Sequence, residues 1–374
     1  MSVPAEPRGS ILTPAGWMRG RVRIKDGLIA GIEGELLGPD AAPESPFIVP
    51  GFIDLHVHGG LGGECMAGEA GVRRTLRYHA AHGTVALAPT TVTAPVAQIE
   101  SALADIAAAH AKPRVGEAAV LGAHLEGPFI NPDRLGAQPP FARPGDASLA
   151  VKWTERFPIV IATVAPEIAG GLDVFRVFAE HGCRPQAGHT LASFDQIGTA
   201  FACGCTGFTH LFNAMSGAHH REPGAAAWAL ARAEYAEIVC DFNHVHPAMI
   251  LAARRSIPKL YTVTDASAAA GMPDGEYTLG HHRVFKRGLK VTLEDNETLA
   301  SSAITMADAV RNLVSIGVPL AEAVAMASTR PAEYLGRTDL GRIVPGARAS
   351  MVQVDVKLKV EGVWIDGAEI GAEA

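Results

Sequence analysis

The sequence has little of what an exported, membrane-bound or nucleic-acid-binding protein needs. Only five of its 374 residues are cysteines, an odd number without a C-x-x-C pair, which favours reduced thiols in a cytoplasmic protein. No apolar run approaches the roughly 18 residues of a membrane span, and the N-terminus has no apolar signal segment. The formal net charge is -7 and no block of like charges occurs, so neither a membrane nor nucleic acid is an expected partner.

Aromatic residues are also scarce, at 6%, whereas 48% of the residues are hydrophobic and 40 are glycines. This composition is typical of a globular protein whose helices pack closely on a sheet. The length suits one α/β barrel with a small accessory domain. Cys203 and Cys205 fit buried positions at a helix end and a strand start, with metal ligation as the alternative.

The two ends of the chain carry short β-rich segments. Near the N-terminus, apolar and polar residues alternate on both sides of Asp26-Gly27, which predicts a β-hairpin. Near the C-terminus, "GRIVPGARASMVQVD" and "LKVEGVWIDG" show similar runs broken by turn residues. We expect residues 1–48 and 343–374 to form one small β-sandwich domain, and residues 49–342 to form the other domain.

The central part alternates apolar, strand-like runs with Ala-rich stretches of helical length, such as 95–111 and 171–181. This alternation predicts parallel βα units, and eight of them close economically into a (β/α)8 TIM-type barrel. The predicted strands are 52–58, 84–90, 119–126, 159–167, 184–189, 206–210, 238–244 and 260–265.

Polar residues occur at the ends of these otherwise apolar strands. They are His56 and His58, Glu126, His189, His210, His244 and Asp265. A single buried histidine is typical of a hydrogen-bonded core residue, but the carboxyl ends of barrel strands meet at one face, so this set converges. Unpaired burial would cost roughly 1–3 kcal/mol per group, and imidazoles with a carboxylate suit zinc or iron. The pattern therefore predicts a transition-metal site.

Seven segments resemble the N-acetylglucosamine-6-phosphate deacetylases of the amidohydrolase superfamily. In chain order they are "PGFIDLHVHGG", "GAHLEGPFINP", "AGHT", "THLFNAM", "HREPG", "VTDA" and "TLASSAITMADAVRNL". The resemblance extends over nearly the whole chain. It implies a metal-dependent hydrolase of the acetamide of N-acetyl-D-glucosamine 6-phosphate, acting in amino-sugar catabolism.

The resemblance also implies a site. Glu126, His189 and His210 match the three principal metal ligands, and Asp265 matches the catalytic acid/base. Some relatives keep both histidines of H-x-H and others do not. Because this chain keeps His56 and His58, one or two ions of zinc, or alternatively iron, are expected per subunit, with Glu126 as the bridge between two. His124 is expected next to the ligands rather than among them.

For the phosphorylated end of the substrate, the resemblance implies contacts from Arg221 and His244, with backbone N–H groups near Asn213 and Ala214. In relatives the arginine reaches across a dimer interface, so we expect a homodimer with Arg221 near the shared site. His219 and His220 are expected at exposed or interface positions.

Two positions depart from the family pattern. Gln138 replaces a histidine that helps to polarise the substrate carbonyl, and it can donate only a neutral hydrogen bond. Phe242 in Asp241-Phe242-Asn243-His244 stands where the family has glycine. The sugar specificity therefore stays open.

The alternatives are an N-acetylgalactosamine-6-phosphate deacetylase, another N-acyl amidohydrolase, and a degenerate barrel without catalysis. A dihydroorotase-type enzyme is disfavoured because "PIVIATVAPE" lacks the strand-four lysine of that type. The degenerate barrel is disfavoured because Glu126, His189, His210 and Asp265 are all present.

Overall fold

The structure, a computed structural model, describes residues 6–38 and 41–370. Residues 1–5, 39–40 and 371–374 of the expected terminal β domain lie outside the described residues. Within these two ranges, no helix combines the length and apolar character needed to cross a membrane.

The strands are numbered here in chain order. They are β1 (Arg8–Thr13), β2 (Gly16–Lys25), β3 (Leu28–Leu36), β4 (Phe47–Pro50), β5 (Phe52–Val57), β6 (Gly59–Gly60), β7 (Gly63–Glu64), β8 (Thr84–Pro89), β9 (Ala119–Val120), β10 (Ala123–Glu126), β11 (Ile159–Val164), β12 (Arg184–Ala187), β13 (Gly207–Phe208), β14 (Tyr235–Val239), β15 (Lys259–Val263), β16 (Gly275–Leu279), β17 (His282–Arg287), β18 (Lys290–Thr292), β19 (Leu299–Ser302), β20 (Met351–Val354), β21 (Val360–Ile365) and β22 (Ala368–Ile370).

The α-helices are numbered in the same way. They are α1 (Gly68–Ala81), α2 (Val96–Ala111), α3 (Ala147–Arg156), α4 (Gly171–Glu180), α5 (Phe194–Ala202), α6 (Ala225–Arg232), α7 (Pro247–Ser256), α8 (Met306–Ser315), α9 (Leu320–Ala327) and α10 (Thr329–Tyr334). The expected helices at 95–111 and 171–181 correspond to α2 and α4, each within one residue at either end.

The two chain ends share one sheet. Its order is β22-β21-β20-β4-β1-β2-β3, and the predicted hairpin at Asp26-Gly27 joins β2 to β3. The sheet folds back on itself, because Leu28 at the start of β3 pairs with Arg348 just before β20. It encloses a small core that is separate from the barrel core and includes Ile11, Ile29, Met351 and Trp364. The boundaries expected for the two domains stay a prediction.

The central strands form the predicted (β/α)8 barrel. Parallel pairing joins β5 to β8, β10 to β11, β11 to β12, β12 to β13, and β14 to β15. Three contacts join the neighbouring strands that are not paired in this way. They are the bridge Thr90–His124, the hydrogen bond from the Leu211 N–H to the backbone carbonyl of Glu237, and the bridge Val57–Ala266. Apolar side chains from the strands and the surrounding helices fill one continuous core. The carboxyl ends of the strands consequently open onto one face.

Several predicted strands are too long at their carboxyl ends. His189, His210 and Asp265 each lie two residues beyond the last strand residue, and their φ angles are 46°, 29° and 49°. A positive φ is incompatible with continued strand pairing, so the chain turns at these residues. The strand predicted at 238–244 is β14, which ends at Val239, and His244 lies in the loop beyond it. The strand predicted at 119–126 is interrupted between β9 and β10.

A feature that the sequence did not predict is a four-stranded antiparallel sheet, β16 to β19, inserted between β15 and α8. Glu64 at the end of β7 holds this insert against the barrel by accepting hydrogen bonds from the Gly280 N–H and the Thr278 hydroxyl. Ser302 at the end of β19 bridges to Ala266 beyond β15. The insert therefore forms one wall at the open face of the barrel.

Candidate active site and metal centre

The polar residues at the strand ends meet in one cavity at the open face of the barrel. Six of them are buried and form two groups of possible metal ligands: Glu126, His189 and His210 in the first, and His56, His58 and Asp265 in the second. Only His56 and Glu126 lie within strands; the others follow a strand end.

The first group centres on Glu126 at the end of β10. Its Oε1 lies 3.0 Å from Nε2 of His189 and 3.1 Å from Nε2 of His210. The two imidazole nitrogens lie 3.1 Å apart. Three ligand atoms thus face one point, although the residues are separated by up to 84 positions in the chain.

The second group adjoins the first. Nε2 of His56 and Nε2 of His58 lie 3.2 Å apart. His58 directly follows β5 and continues its alternation, in which residues two apart point to the same side. His58 Nε2 lies 3.3 Å both from Asp265 Oδ1 and from Glu126 Oε2. Glu126 thus presents Oε1 to the first group and Oε2 to His58 of the second group.

The protonation pattern of these residues fits a bound cation. The Nδ1–H of His189 donates to the Arg134 carbonyl at 2.8 Å, and the Nδ1–H of His56 donates to Glu237 at 2.7 Å. In the neutral imidazoles, each Nε2 therefore carries a lone pair that points at other acceptors, including the Glu126 carboxylate. Such contacts between acceptors repel unless a proton or a metal ion lies among them. Imidazole and carboxylate ligands suit zinc or iron.

The charges of the two groups shift their pKa values in the direction expected for a cation site. Burial alone favours neutral imidazole, yet contacts with Asp265 and Glu126 outweigh burial and raise the pKa of His58 to about 9. Burial would raise the pKa of Asp265, but the charges of His56 and His58 lower it. A metal ion would act on the Asp265 carboxylate in the same direction. Asp265 is thus ionised at neutral pH and can accept a proton.

A further carboxylate, Glu237 on β14, contacts this site and was missed in the sequence. It is fully buried and accepts hydrogen bonds from His56 and from the backbone of His210. An acid within the apolar strand "YAEIV" was the available signal. His124 lies beside His56, but its ring nitrogens contact the Leu55 carbonyl and the Thr163 hydroxyl, so both already have partners.

Further residues line the cavity beside the possible metal ligands. Among them are the predicted Gln138, Asn213, Ala214 and His244. The insert adds Leu279, Leu299 and Ser301, none of which was predicted as a site residue. Ser301 donates a hydrogen bond of 3.3 Å to Asp265 Oδ1.

Comparison with known proteins identifies the family. Residues 243–370 match the Amidohydrolase family. The chain is 39% identical over 341 residues to the N-acetylglucosamine-6-phosphate deacetylase of Vibrio furnissii, covering 88% of this chain and 84% of the relative. The chain belongs to the N-acetylglucosamine-6-phosphate deacetylase family.

Two further relatives are similar to this chain over nearly its full length. The N-acetylgalactosamine-6-phosphate deacetylase of Escherichia coli O157:H7 is 38% identical, with 96% of both chains covered. The structure of a mutant N-acetyl-D-glucosamine-6-phosphate deacetylase from Mycobacterium smegmatis, in complex with N-acetyl-D-glucosamine-6-phosphate, superimposes with a TM-score of 0.89 at 30% identity, covering 97% of each chain.

At the two positions where this deacetylase departs from its family pattern, the structure gives a physical account. The Gln138 Oε1 accepts a hydrogen bond of 2.7 Å from the Thr93 N–H, which turns the amide so that Nε2 donates to Glu126 Oε2. Phe242 adopts φ 64°, the left-handed conformation that glycine adopts without strain. The backbone at residue 242 thus has the conformation expected for the family's glycine, although the residue is phenylalanine.

The substrate-binding residues predicted for this deacetylase are not all in the cavity. His244 lines the cavity, and its ring pairs with Asp241 at 2.7 Å. Asn213 also lines the cavity, but its backbone N–H already donates to the His210 carbonyl. Arg221 is exposed, like the adjacent His219 and His220, and does not line the cavity of its own chain.

Proposed function

We propose that this protein hydrolyses the acetamide of N-acetyl-D-glucosamine 6-phosphate to D-glucosamine 6-phosphate and acetate, in amino-sugar breakdown in the cytoplasm. The observation that carries the proposal is the convergence of four imidazole Nε2 atoms and the Glu126 and Asp265 carboxylates on one cavity. The names of the relatives support the substrate.

Zinc is the metal we propose, with iron as the alternative, held by Glu126, His189 and His210 and, for a second ion, by His56 and His58. When bound, such an ion polarises the acetyl carbonyl and lowers the pKa of water. The Asp265 carboxylate takes the proton from the attacking water and then delivers it to the nitrogen of the departing sugar. An amine is a poor leaving group without that proton.

Two residues at the cavity wall orient the substrate. One N–H of the Gln138 amide donates to Glu126, so the second N–H is available for the acetyl carbonyl oxygen. Asp241 fixes Nδ1 of His244 and raises the pKa of this imidazole, which burial alone would lower. A protonated His244 supplies a cationic contact for the phosphate.

The proposed activity is tested by the release of acetate from three substrates at matched concentrations. These are N-acetylglucosamine 6-phosphate, its galactosamine epimer and unphosphorylated N-acetylglucosamine. We expect the first to have the highest kcat/KM and the unphosphorylated sugar to react far more slowly. The epimer stays the second candidate, because the Escherichia coli O157:H7 relative carries that name. No acetate from any of the three would contradict the proposal.

The role of Asp265 is tested with Asp265→Asn, which keeps the size of the side chain but removes its basic oxygen. We expect kcat to fall by at least ~100-fold, the usual lower bound for general acid–base catalysis, while elemental analysis finds the wild-type metal content. Asp195→Asn changes an exposed aspartate in α5 and should leave both quantities unchanged. Full activity of Asp265→Asn would mean that another group moves the proton.

The exposed position of Arg221 supports a homodimer in which this side chain serves the partner's cavity. Arg221→Ala should raise KM for the phosphorylated sugar alone. Mixing unfolded Arg221→Ala and Asp265→Asn chains and refolding them together should recover activity, because a mixed dimer contains one site with both residues intact. If Arg221 serves its own chain, or if the protein is a monomer, mixing the two variants recovers no activity. Light scattering measures the oligomeric state.

A further inference from the structure

Glu237 is a buried carboxylate that none of the steps above uses. It lies on β14, is fully buried and is surrounded along the strand by apolar neighbours. Its Oε1 accepts two hydrogen bonds, one of 2.7 Å from the Nδ1–H of His56 and one of 2.9 Å from the backbone N–H of His210. Among the described residues, its Oε2 has no hydrogen-bond partner. A single oxygen therefore contacts one residue of each ligand group.

Glu237 is not placed to be a metal ligand itself. It forms a possible ligand group with His56 and His124. Both nitrogens of His124 have other partners, and Nδ1 of His56 carries the proton that Glu237 accepts. No lone pair of these two imidazoles is left for an ion on the Glu237 side.

The two hydrogen bonds to Glu237 control the orientation of the His56 and His210 imidazoles. The bond to His56 selects the tautomer with the proton on Nδ1, so the lone pair of Nε2 points toward His58, 3.2 Å away. The bond to His210 holds a backbone N–H where φ is 29°, a conformation that a non-glycine residue seldom adopts. That turn aims the imidazole of His210 at Glu126.

We propose that Glu237 is the positioning residue that couples the two metal positions, with its negative charge acting mainly on the position of His56 and His58. A carboxylate behind a ligating imidazole fixes the ring and increases its basicity, and losing such a partner typically lowers metal affinity about 10- to 100-fold. This inference rests on the proposed metal-dependent function.

The test uses Glu237→Gln, which keeps the shape and one acceptor oxygen but removes the charge. Zinc is added to metal-free full-length protein in competition with a chelator, and two stepwise affinities are measured. We expect the affinity for one zinc ion to fall by about 10- to 100-fold and the other to change less. Thermal unfolding of the metal-free variant should match that of the wild type. Glu117→Gln removes another buried carboxylate, paired with Arg73, and should leave both affinities unchanged.

A positioning role is separated from a general structural one by repeating the measurement in a His56→Ala background. There the charge of Glu237 has no imidazole to orient, so Glu237→Gln should cause little further loss at the affected position. Glu237→Asp, which keeps the charge one methylene farther away, should weaken that position less than Glu237→Gln does. It is also the variant to use if Glu237→Gln does not fold.

Wild-type affinities in Glu237→Gln would overturn the inference, as would equal losses with and without His56. A wild-type protein that binds neither zinc nor iron would instead overturn the proposed function. The two failures are thus distinguishable.

Discussion

At the scale of single residues, the pairing of His244 with Asp241 bears on the phosphate contact proposed for His244. Asp241 lies 2.7 Å from Nδ1 of His244 and raises the pKa of this imidazole above its usual 6.5. His244 therefore stays protonated to higher pH than a free histidine, and the charge is lost as the pH rises through the raised pKa. The phosphate contact proposed for His244 depends on that charge.

We expect KM for the phosphorylated substrate to rise as the pH increases above 6.5, with kcat changing less. In Asp241→Asn the rise should occur at lower pH, because the charge that raises the pKa of His244 is gone. Steady-state kinetics between about pH 6 and pH 9 measure both effects. N-acetylglucosamine without phosphate is the control and should show no such shift. A KM for the phosphorylated substrate that is independent of pH in both proteins would remove His244 from the phosphate site.

At the scale of secondary-structure elements, the backbone just beyond the carboxyl end of β12 has no space for a side chain. Gly188 links β12 to His189, and a Cβ atom at this position would lie 2.7 Å from Cβ of Thr209 and 2.8 Å from Cγ2 of Thr163. Both threonines belong to neighbouring barrel strands or their ends, so neither can withdraw easily. The absence of a side chain at residue 188 is what lets His189 approach Glu126.

Gly188→Ala should therefore lower the free energy of unfolding by about 1–3 kcal/mol, the usual cost of overpacking a core. It should also lower metal content, because the displaced backbone carries His189. Urea unfolding and elemental analysis measure the two effects. Gly31→Ala on β3 is the control, since a Cβ at residue 31 meets no atom within 4 Å. Wild-type stability together with full metal content in Gly188→Ala would contradict this account.

The elements also show where prediction from the sequence was effective. The hairpin at Asp26-Gly27, the helices α2 and α4 and the order of the barrel strands follow from local patterns of two and 3.6 residues. The carboxyl ends of the strands do not follow from such patterns. The chain leaves its strand before His189, His210 and Asp265, whose positive φ angles are held by tertiary contacts. The insert of β16 to β19 has short strands with many polar residues, so its pattern resembles a long loop.

At the scale of the whole molecule, the candidate metal centre connects elements that are distant in the chain. The ligand groups span residues 56 to 265 and come from five barrel strands or the loops after them. An ion that binds only the folded arrangement stabilises it in proportion to the logarithm of ligand concentration. The barrel as a whole should therefore respond to metal.

We expect zinc at about 100 times its dissociation constant to raise the free energy of unfolding by about 2.7 kcal/mol per site, and a chelator to lower Tm. Differential scanning calorimetry across a zinc series measures the effect. The double variant His56→Ala with His58→Ala should show a smaller shift, since one position would be lost. A Tm that is independent of zinc and chelator in the wild type would contradict a metal held between these strands.

The sequence by itself determined the fold class and the chemical character of the site. Hydrophobic periodicity sets the elements, parallel βα units close into a barrel, and the position of a polar residue at a strand end assigns it to the open face. Only the tertiary structure decided the distances and the partners. In the sequence, Glu237 is visible as an acid in an apolar strand, and Leu299 belongs to a segment that resembles the family. The sequence does not show that Glu237 accepts a hydrogen bond from His56, or that Leu279 and Leu299 line the cavity. Their roles depend on contacts across the barrel, which a pattern of period two or 3.6 cannot encode.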